Sequence, residues 1–341
     1  MIIKTSSVKK KLKKKKYFFY HGTKMTTFSS QPHEIKTDFV TICFRNEIEI
    51  DLMKLQAMSF CFVPPSMINQ IFLFWNDDGE FPGDVPFINY YPYELRSKVK
   101  YVTRDTLFYS GKKTNWINQQ IYKLLLAKYV QSSHYIVLDA KNHFMKPVTR
   151  QNFFTDGGKP KLFMGNPGKM IRYFDYCLKY FNMDKGYLTK KMFFSMDDPD
   201  FQFCTTTPFV FKTQVVREMV AFMESKENME FHELFQYHTG GTEFYFYISY
   251  LLWKNYITDC HIQKKIHITM WSDFEKEWNH IDYISKSFIE DECKILGIHR
   301  KAFVDMDEKT LRKLLKMYEK YYPKHLMKKV KRLRIFEKKK R

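Results

Sequence analysis

The sequence predicts an α/β fold: a mainly parallel, Rossmann-related sheet flanked by helices, with basic tails outside it. Three observations point there. Tyr135–Leu138 is a run of β-branched, aromatic and aliphatic residues that drives into the polar cluster Asp139, Lys141, Asn142 and His143, the pattern of a strand buried on both faces and ending at a site. Upstream, strand and helix patterns alternate, and each strand ends in a polar loop, as in a doubly wound sheet. Finally, 341 residues with 18% aromatics and only 12 glycines supply ample material for a core, which excludes a disordered chain.

Thr37–Phe44 reads as the first strand, with Arg45-Asn46-Glu47 as the loop at its end. Apolar residues at Ile50, Met53, Leu55, Met58 and Phe62 then predict a helix over 48–62, stopped by Pro64-Pro65 because proline lacks the amide hydrogen that a helix needs. Ile68–Trp75 is a second strand running into Asn76-Asp77-Asp78-Gly79, and Lys98–Val102 a third. The next helix, over 114–125, has Thr114 or Asn115 as its cap and Ile117, Ile121, Leu124 and Leu125 as its apolar stripe. Gln119, Gln120 and Lys123 lie towards its start, where a helix N-terminus and a lysine suit a phosphate as well as they suit a solvated polar face.

The Tyr135–Phe144 stretch follows. In open α/β sheets ligands bind beyond the carboxyl ends of the strands, so Asp139, Lys141, Asn142 and His143 are expected at the mouth of the crevice; an ordinary strand capped by a polar turn is the structural alternative. Residues 152–169 carry Asp156-Gly157-Gly158 and Gly165-Asn166-Pro167-Gly168, turn signals that predict loops. Beyond them the pattern predicts a helix over 171–181, a strand over 205–211 and a helix over 215–223. The glycine pair Gly240-Gly241, expected to be flexible, precedes Thr242-Glu243 and an aromatic helix over 244–253. An acid in a first helical turn is favoured by the helix dipole, whatever else it does. A strand over 266–271 carrying His267, the segment Gly297-Ile298-His299-Arg300 and a helix over 308–321 complete the series. There is no P-loop and no GxGxxG, so ordinary NTPase and nicotinamide functions lack their phosphate loops.

The net charge of +20 is concentrated at the ends: residues 1–24 carry +9 and residues 324–341 another +9, leaving +2 for residues 25–323. Such tails suit an anionic surface. At the C-terminal end Leu326, Val330, Leu333 and Phe336 recur at helical spacing among the cations, which predicts a helix lying on anionic lipid. The N-terminal lysines read as a solvated, disordered tail, and both tails are expected to be expendable for the fold. The domains are accordingly 1–36, a basic tail; 37–305, the α/β domain; and 306–341, a helical polybasic segment. Phe244–Trp253, the longest apolar run, falls well short of a bilayer span, and no signal peptide is expected before the body, since no apolar stretch follows the lysines. Six cysteines without a CxxC fit reduced thiols. A cytoplasmic protein, peripheral on a membrane and not secreted, is expected.

Phe44-Arg45 at the end of the first strand, Trp116…Gln119-Gln120…Lys123, the Leu138-Asp139-Ala140-Lys141-Asn142-His143-Phe144 strand end, Thr242-Glu243 and Gly297-Ile298-His299-Arg300 occur in one order. In that order the chain resembles a family of GT-A-like sugar-nucleotide transferases found among bacterial capsule and surface-glycan genes and some large viruses. The resemblance covers residues 38–305. It implies a GT-A-like fold, a nucleotide-sugar donor and a glycan or other hydroxyl acceptor. By the same resemblance Phe44, Arg45, Asp77, Gln119, Gln120, Lys123, Lys141, Asn142, His143, Thr242 and Arg300 would bind the nucleotide sugar, and Glu243 and Asp139 would be catalytic. In related families the central strand ends in Asp-x-Asp, which holds a divalent metal, Mn2+ or Mg2+, on the donor diphosphate. Here Lys141 stands at the second position. Either Asp139 holds the metal with His299 or His143, or Lys141 with Lys123 and Arg300 meets the diphosphate directly. Inversion at the sugar would need a carboxylate base, for which Glu243 is the first candidate, whereas retention would not. Two other classes compete: a sugar-nucleotide-binding protein without catalysis, and a nucleic-acid-binding protein using its tails. The near-neutral body and the lack of a recognised binding module stand against nucleic acid.

Overall fold

The computed structural model describes residues 36–337 except 78–80, 82, 84–85, 108–115, 166–169, 185, 187–201, 204, 239, 274–279 and 291. The N-terminal lysine run, the Thr114 or Asn115 cap, Asp78 and most of the Gly165–Gly168 turn lie outside these residues. In chain order the first elements are β1 (Thr37–Cys43), α1 (Glu47–Ser59), β2 (Ile68–Trp75), β3 (Val99–Thr103), α2 (Trp116–Leu125), β4 (His134–Asp139) and β5 (Asn142–Phe144). Next come β6 (Lys161–Gly165), α3 (Ile171–Tyr180), β7 (Gln202–Phe203), β8 (Phe209–Lys212), α4 (Thr213–Glu227), α5 (Phe231–Tyr237) and α6 (Glu243–Trp253). The chain continues through β9 (His261–Lys264), β10 (His267–Met270), α7 (Ile281–Glu290), β11 (Ile295–Ile298), α8 (Arg300–Asp305), α9 (Glu308–Tyr321) and α10 (Lys324–Val330).

The central sheet has the order β3-β2-β1-β4-β8. Its first four strands are parallel and β8 runs antiparallel to β4, so the mainly parallel α/β class is as expected. Alternate residues of each strand serve different cores. Phe39, Ile71, Leu73, Trp75, Ile136 and Leu138 pack on one face with α1 and the C-terminal helices. Val40, Ile42, Phe72, Phe74, Tyr135 and Val137 pack on the other with α2, α3, α4 and α6. Burial on both faces is why these strands read as unbroken apolar runs. At the other end of the sheet, buried Asp38 ties three segments together: it accepts from Asn69 Nδ2 and the Gln70 amide (2.9 Å each) and from the Gln131 and Ser132 amides (3.2 and 3.1 Å).

Four expectations change. The chain turns at Ala140-Lys141, and Asn142–Phe144 becomes a separate strand, antiparallel to β11 in the sheet β10-β11-β5. Residues 161–165, expected as loop between two turns, form β6, which pairs with β7 and β9. The strand expected from 205 begins at Phe209, after Pro208, which has no amide to give a ladder. Gly240 and Gly241 serve close packing: a Cβ on Gly240 would lie 2.4 Å from the Tyr176 ring, and one on Gly241 2.2 Å from the Phe246 ring.

The C-terminal segment departs furthest from its expectation. Leu326, Val330, Leu333 and Phe336 do not face lipid; all four are buried in the core that α1 shares. Phe336 packs edge-on to Phe303 and Tyr318, and the Ile335 amide donates to Asp51 Oδ2 at 3.2 Å. Apolar spacing among lysines is the same whether the stripe meets lipid or the protein's own core, and here the core takes it. The cations Lys324, Lys328, Lys329, Lys331 and Arg332 stay exposed around it. No helix among the described residues is long and apolar enough to cross a membrane.

It follows that removal of residues 324–341 opens the core. Leu333→Ala should cost about 2–5 kcal/mol, and the truncated chain should lose cooperative thermal unfolding, as read by circular dichroism. Unchanged melting of both variants would return this segment to the surface.

Candidate active site

Strand order β3-β2-β1-β4 makes the winding reverse between β1 and β4, and at such a switch point the loops beyond the carboxyl ends part to leave a crevice. The β1 side contributes Phe44, Arg45 and the first turn of α1. Asn46 caps that helix, accepting from the Ile48 and Glu49 amides at 3.1 and 3.3 Å. The β4 side contributes Asp139 and Lys141.

Asp139 is the hub. Its Oδ1 lies 3.0 Å from Lys123 Nζ, while Oδ2 accepts from Lys141 Nζ and, at 2.9 Å, from Thr207 Oγ1. Its backbone is fixed as well: the amide donates to Asn142 Oδ1 at 2.8 Å and the carbonyl accepts from Gln56 Nε2 at 2.7 Å. Gln56 is held in turn by Thr41 Oγ1 at 2.8 Å. Burial opposes ionisation of Asp139, but Lys123 and Lys141 together outweigh it and hold the carboxyl well below the usual carboxylate range.

Lys123 projects from α2 into the interior, 6% exposed. It bridges Asp139 and Glu243, with Nζ 3.0 Å from Glu243 Oε1, and lies 5.1 Å from the centre of the Phe244 ring. Burial works against its charge, but the two carboxylates overcome that and raise its pKa. Glu243 starts α6 and is 3% exposed. Its amide donates to Gln120 Oε1 at 3.3 Å, and burial raises its pKa against the opposing effect of Lys123. Thr242 acts as the α6 cap, accepting from the Tyr245 amide at 3.3 Å.

A third sequence segment joins this group from the β11 end. The Arg300 guanidinium lies 4.9 Å from the centre of the Phe44 ring, and Lys141 Nζ 5.7 Å from that of Trp271. Trp271 in turn lies against His299, ring centres 5.1 Å apart. His299 caps α8, its Nδ1 accepting from the Lys301 amide at 3.4 Å. Burial first, then Lys141, Arg300 and Lys301, push its pKa down to about 4.

The structure thus brings together Asp139, Lys141, Lys123, Glu243, Gln120, Phe44, Arg300 and His299. Arg45 is exposed, and its amide donates to Asp77 Oδ2 at 3.0 Å, which joins the ends of β1 and β2. Gln119 is half-buried on α2, outside this set of bonds. Asn142 and His143, expected at the crevice mouth, are instead 1% and 0% exposed. Asn142 spends its side chain on the Asp139 amide and the Thr207 carbonyl. His143 lies 3.1 Å from the Tyr318 hydroxyl, and burial pushes it down to about 3.

Sequence reasoning missed Glu49. It is half-buried in the first turn of α1, and burial pushes its carboxyl up to about 7; Lys141 opposes that rise, Asp139 adds to it and Arg300 opposes it. The only signal in the sequence was its place three residues after the capping Asn46, where acids are common for dipole reasons alone. Trp271 carried no signal at all.

A divalent cation fits this donor set poorly. Both oxygens of Asp139 already meet an ammonium group, and the described residues contain no group of three or more His, Cys, Asp and Glu side chains able to share a metal ion.

Fold and site together define a mixed α/β protein with charged and aromatic groups gathered at the switch point of its sheet. The chain belongs to the family described as a family of unknown function (DUF6492), whose model matches residues 97–286. No curated protein matches it. Among solved structures it is similar to the apo structure of the bifunctional glycosyltransferase WbbM, with a TM-score of 0.41 and 10% sequence identity over 88% of this chain and 52% of that one. The chain therefore spans about half the length of that structure.

Lys123 supplies a direct test of the buried charges. Lys123→Met leaves Glu243 buried without its counter-ion, so urea denaturation should show a loss of about 3–5 kcal/mol. Adding Glu243→Gln should restore part of it. A loss below about 1 kcal/mol would place Lys123 in water.

Proposed function

We propose that the protein is a glycosyltransferase that moves a sugar from a nucleotide-sugar donor to a glycan or other hydroxyl acceptor, in the synthesis of surface polysaccharide or glycoprotein glycans. The observation that carries this reading is the gathering of Lys141, Arg300, Phe44 and Trp271 at the β1/β4 switch point, where a parallel α/β sheet receives nucleotides. Aromatic faces suit a base or a sugar, and ammonium and guanidinium groups suit phosphate oxygens. The donor lies with its diphosphate towards Lys141 and Arg300. In transfer with inversion, the acceptor oxygen forms its bond to the anomeric carbon as the bond from that carbon to the phosphate oxygen breaks. The leaving nucleoside diphosphate takes the electron pair, and the acceptor's proton passes to a carboxylate.

For that carboxylate we propose Glu49 in place of Glu243. Glu243 is buried and committed to Lys123, which fits it to position Lys123 and, through it, Asp139. Glu49 is half-buried in the first turn of α1, where burial pushes its carboxyl up to about 7 and the charges of Lys141, Asp139 and Arg300 act on it, a value suited to accepting a proton near neutrality. The exposed cations of the C-terminal segment are proposed to hold the enzyme at an anionic membrane surface by charge alone. Non-catalytic binding of the same donor remains the alternative that turnover assays separate.

A thermal-shift screen against UDP-, GDP-, CDP- and dTDP-sugars should yield a stabilising donor, with about 2.7 kcal/mol gained at a hundred times Kd; no shift with any of them would sink the proposal. With that donor, kcat/KM should rise as pH passes upward through about 7, because Glu49 must be ionised to act as base. Glu49→Gln should remove that inflection and lower turnover by roughly 100-fold or more. An unchanged pH profile would remove Glu49 from the chemistry.

A further inference from the structure

We infer that this crevice binds a nucleoside diphosphate without a divalent cation, with Lys141 and Arg300 meeting the phosphate charge and Asp139 anchoring two lysines instead of a metal. The inference rests on the nucleotide-sugar reading above and deepens it.

The first ground is what Asp139 already does. A metal ligand offers a carboxylate lone pair to the cation, but Oδ1 faces Lys123 at 3.0 Å, and Oδ2 faces both Lys141 and Thr207. Lys123 cannot withdraw to make room. It is buried, and its second partner, Glu243, is buried too, so moving it would leave unpaired charge in the interior. The second ground is the field at the other expected ligand. Trp271 meets both the His299 ring, centres 5.1 Å apart, and the Lys141 ammonium, 5.7 Å from its own ring centre, and Arg300 and Lys301 follow His299 directly in the chain, so a cation placed there would meet positive groups with Asp139 as the opposing charge. His299 already has a structural task as the cap of α8.

The third ground is capacity. An ammonium group has three N–H donors. Lys141 gives one to Asp139 and holds its nitrogen near the Trp271 face, which leaves donors for phosphate oxygens. The Arg300 guanidinium lies 4.9 Å from the centre of the Phe44 ring, a cation–ring contact that takes up none of its five N–H donors. Asp139, itself fixed by Lys123, therefore holds the Lys141 ammonium at the end of the central strand, where Asp-x-Asp would hold a metal.

The test uses the full chain, stripped with EDTA and checked for residual metal by elemental analysis. Thermal shift and calorimetry are run with UDP, GDP, CDP and dTDP, with EDTA or with Mn2+. At least one nucleoside diphosphate should bind in EDTA with a Kd within about twofold of its value in Mn2+. Lys141→Ala should weaken that binding about tenfold or more, the size of one lost charge-assisted contact, while Lys141→Arg retains most of it. Binding that appears only with Mn2+, or that Mn2+ tightens tenfold, overturns the inference and leaves the glycosyltransferase reading standing. Absence of binding under both conditions overturns both. The wild-type comparison with and without metal decides the matter even if Lys141→Ala fails to fold.

Discussion

A charged ammonium group deep in the protein has to be met by opposite charge, and the centre of this structure is arranged around that requirement at Lys123. Its nitrogen lies 3.0 Å from carboxylates of both Asp139 and Glu243. Those contacts link helix α2 to the end of β4 and the start of α6. Polar bonds carry the constraint outward: Gln120 holds the Glu243 amide, Asn142 the Asp139 amide, and Gln56, fixed by Thr41, the Asp139 carbonyl. A crevice built on such a lattice is set before any ligand arrives, which is how preorganised charge acts most strongly on a reacting group.

The two faces of the central sheet divide the labour. On one, α2, α3, α4 and α6 form an aromatic-rich core in which Phe209, Phe211, Phe244 and Tyr247 contact one another, and this core holds the Lys123 and Glu243 end of the site. On the other, α1 packs with the C-terminal helices, and that layer holds Glu49 and Arg300. The site thus lies where two independently packed layers meet the strand ends, a division that lets the phosphate-facing and carboxylate-holding groups come from different parts of the chain.

The family match falls unevenly across this arrangement. Residues 97–286 contain Lys123, Asp139, Lys141, Glu243 and Trp271, whereas Phe44, Arg45, Glu49, His299 and Arg300 lie outside them. The buried charge relay is therefore housed within the matched segment. The groups facing it across the crevice come from β1 with α1 and from the β11–α8 junction, segments more than 200 residues apart in sequence.

The sequence by itself determined the elements that depend on local pattern. The strands β1, β2, β3 and β4, the helices α2, α3 and α9, and the polar ends of the strands follow from apolar runs and helical spacing, because burial on one or two faces imprints a period on the residues themselves. Only the tertiary structure decided which partner each pattern meets. Nothing in the residues around Asn142 and His143 distinguishes a crevice mouth from a short strand paired with β11, because that pairing lies about 150 residues away in sequence. The stripe Leu326, Val330, Leu333 and Phe336 was legible as a stripe, but its partner was not: lipid and core remove the same apolar surface from water. Glu49 and Glu243 are both acids in first helical turns. Three-dimensional packing alone commits Glu243 to Lys123 and leaves Glu49 in the field of Lys141 and Arg300, because charge acts through space and not along the chain.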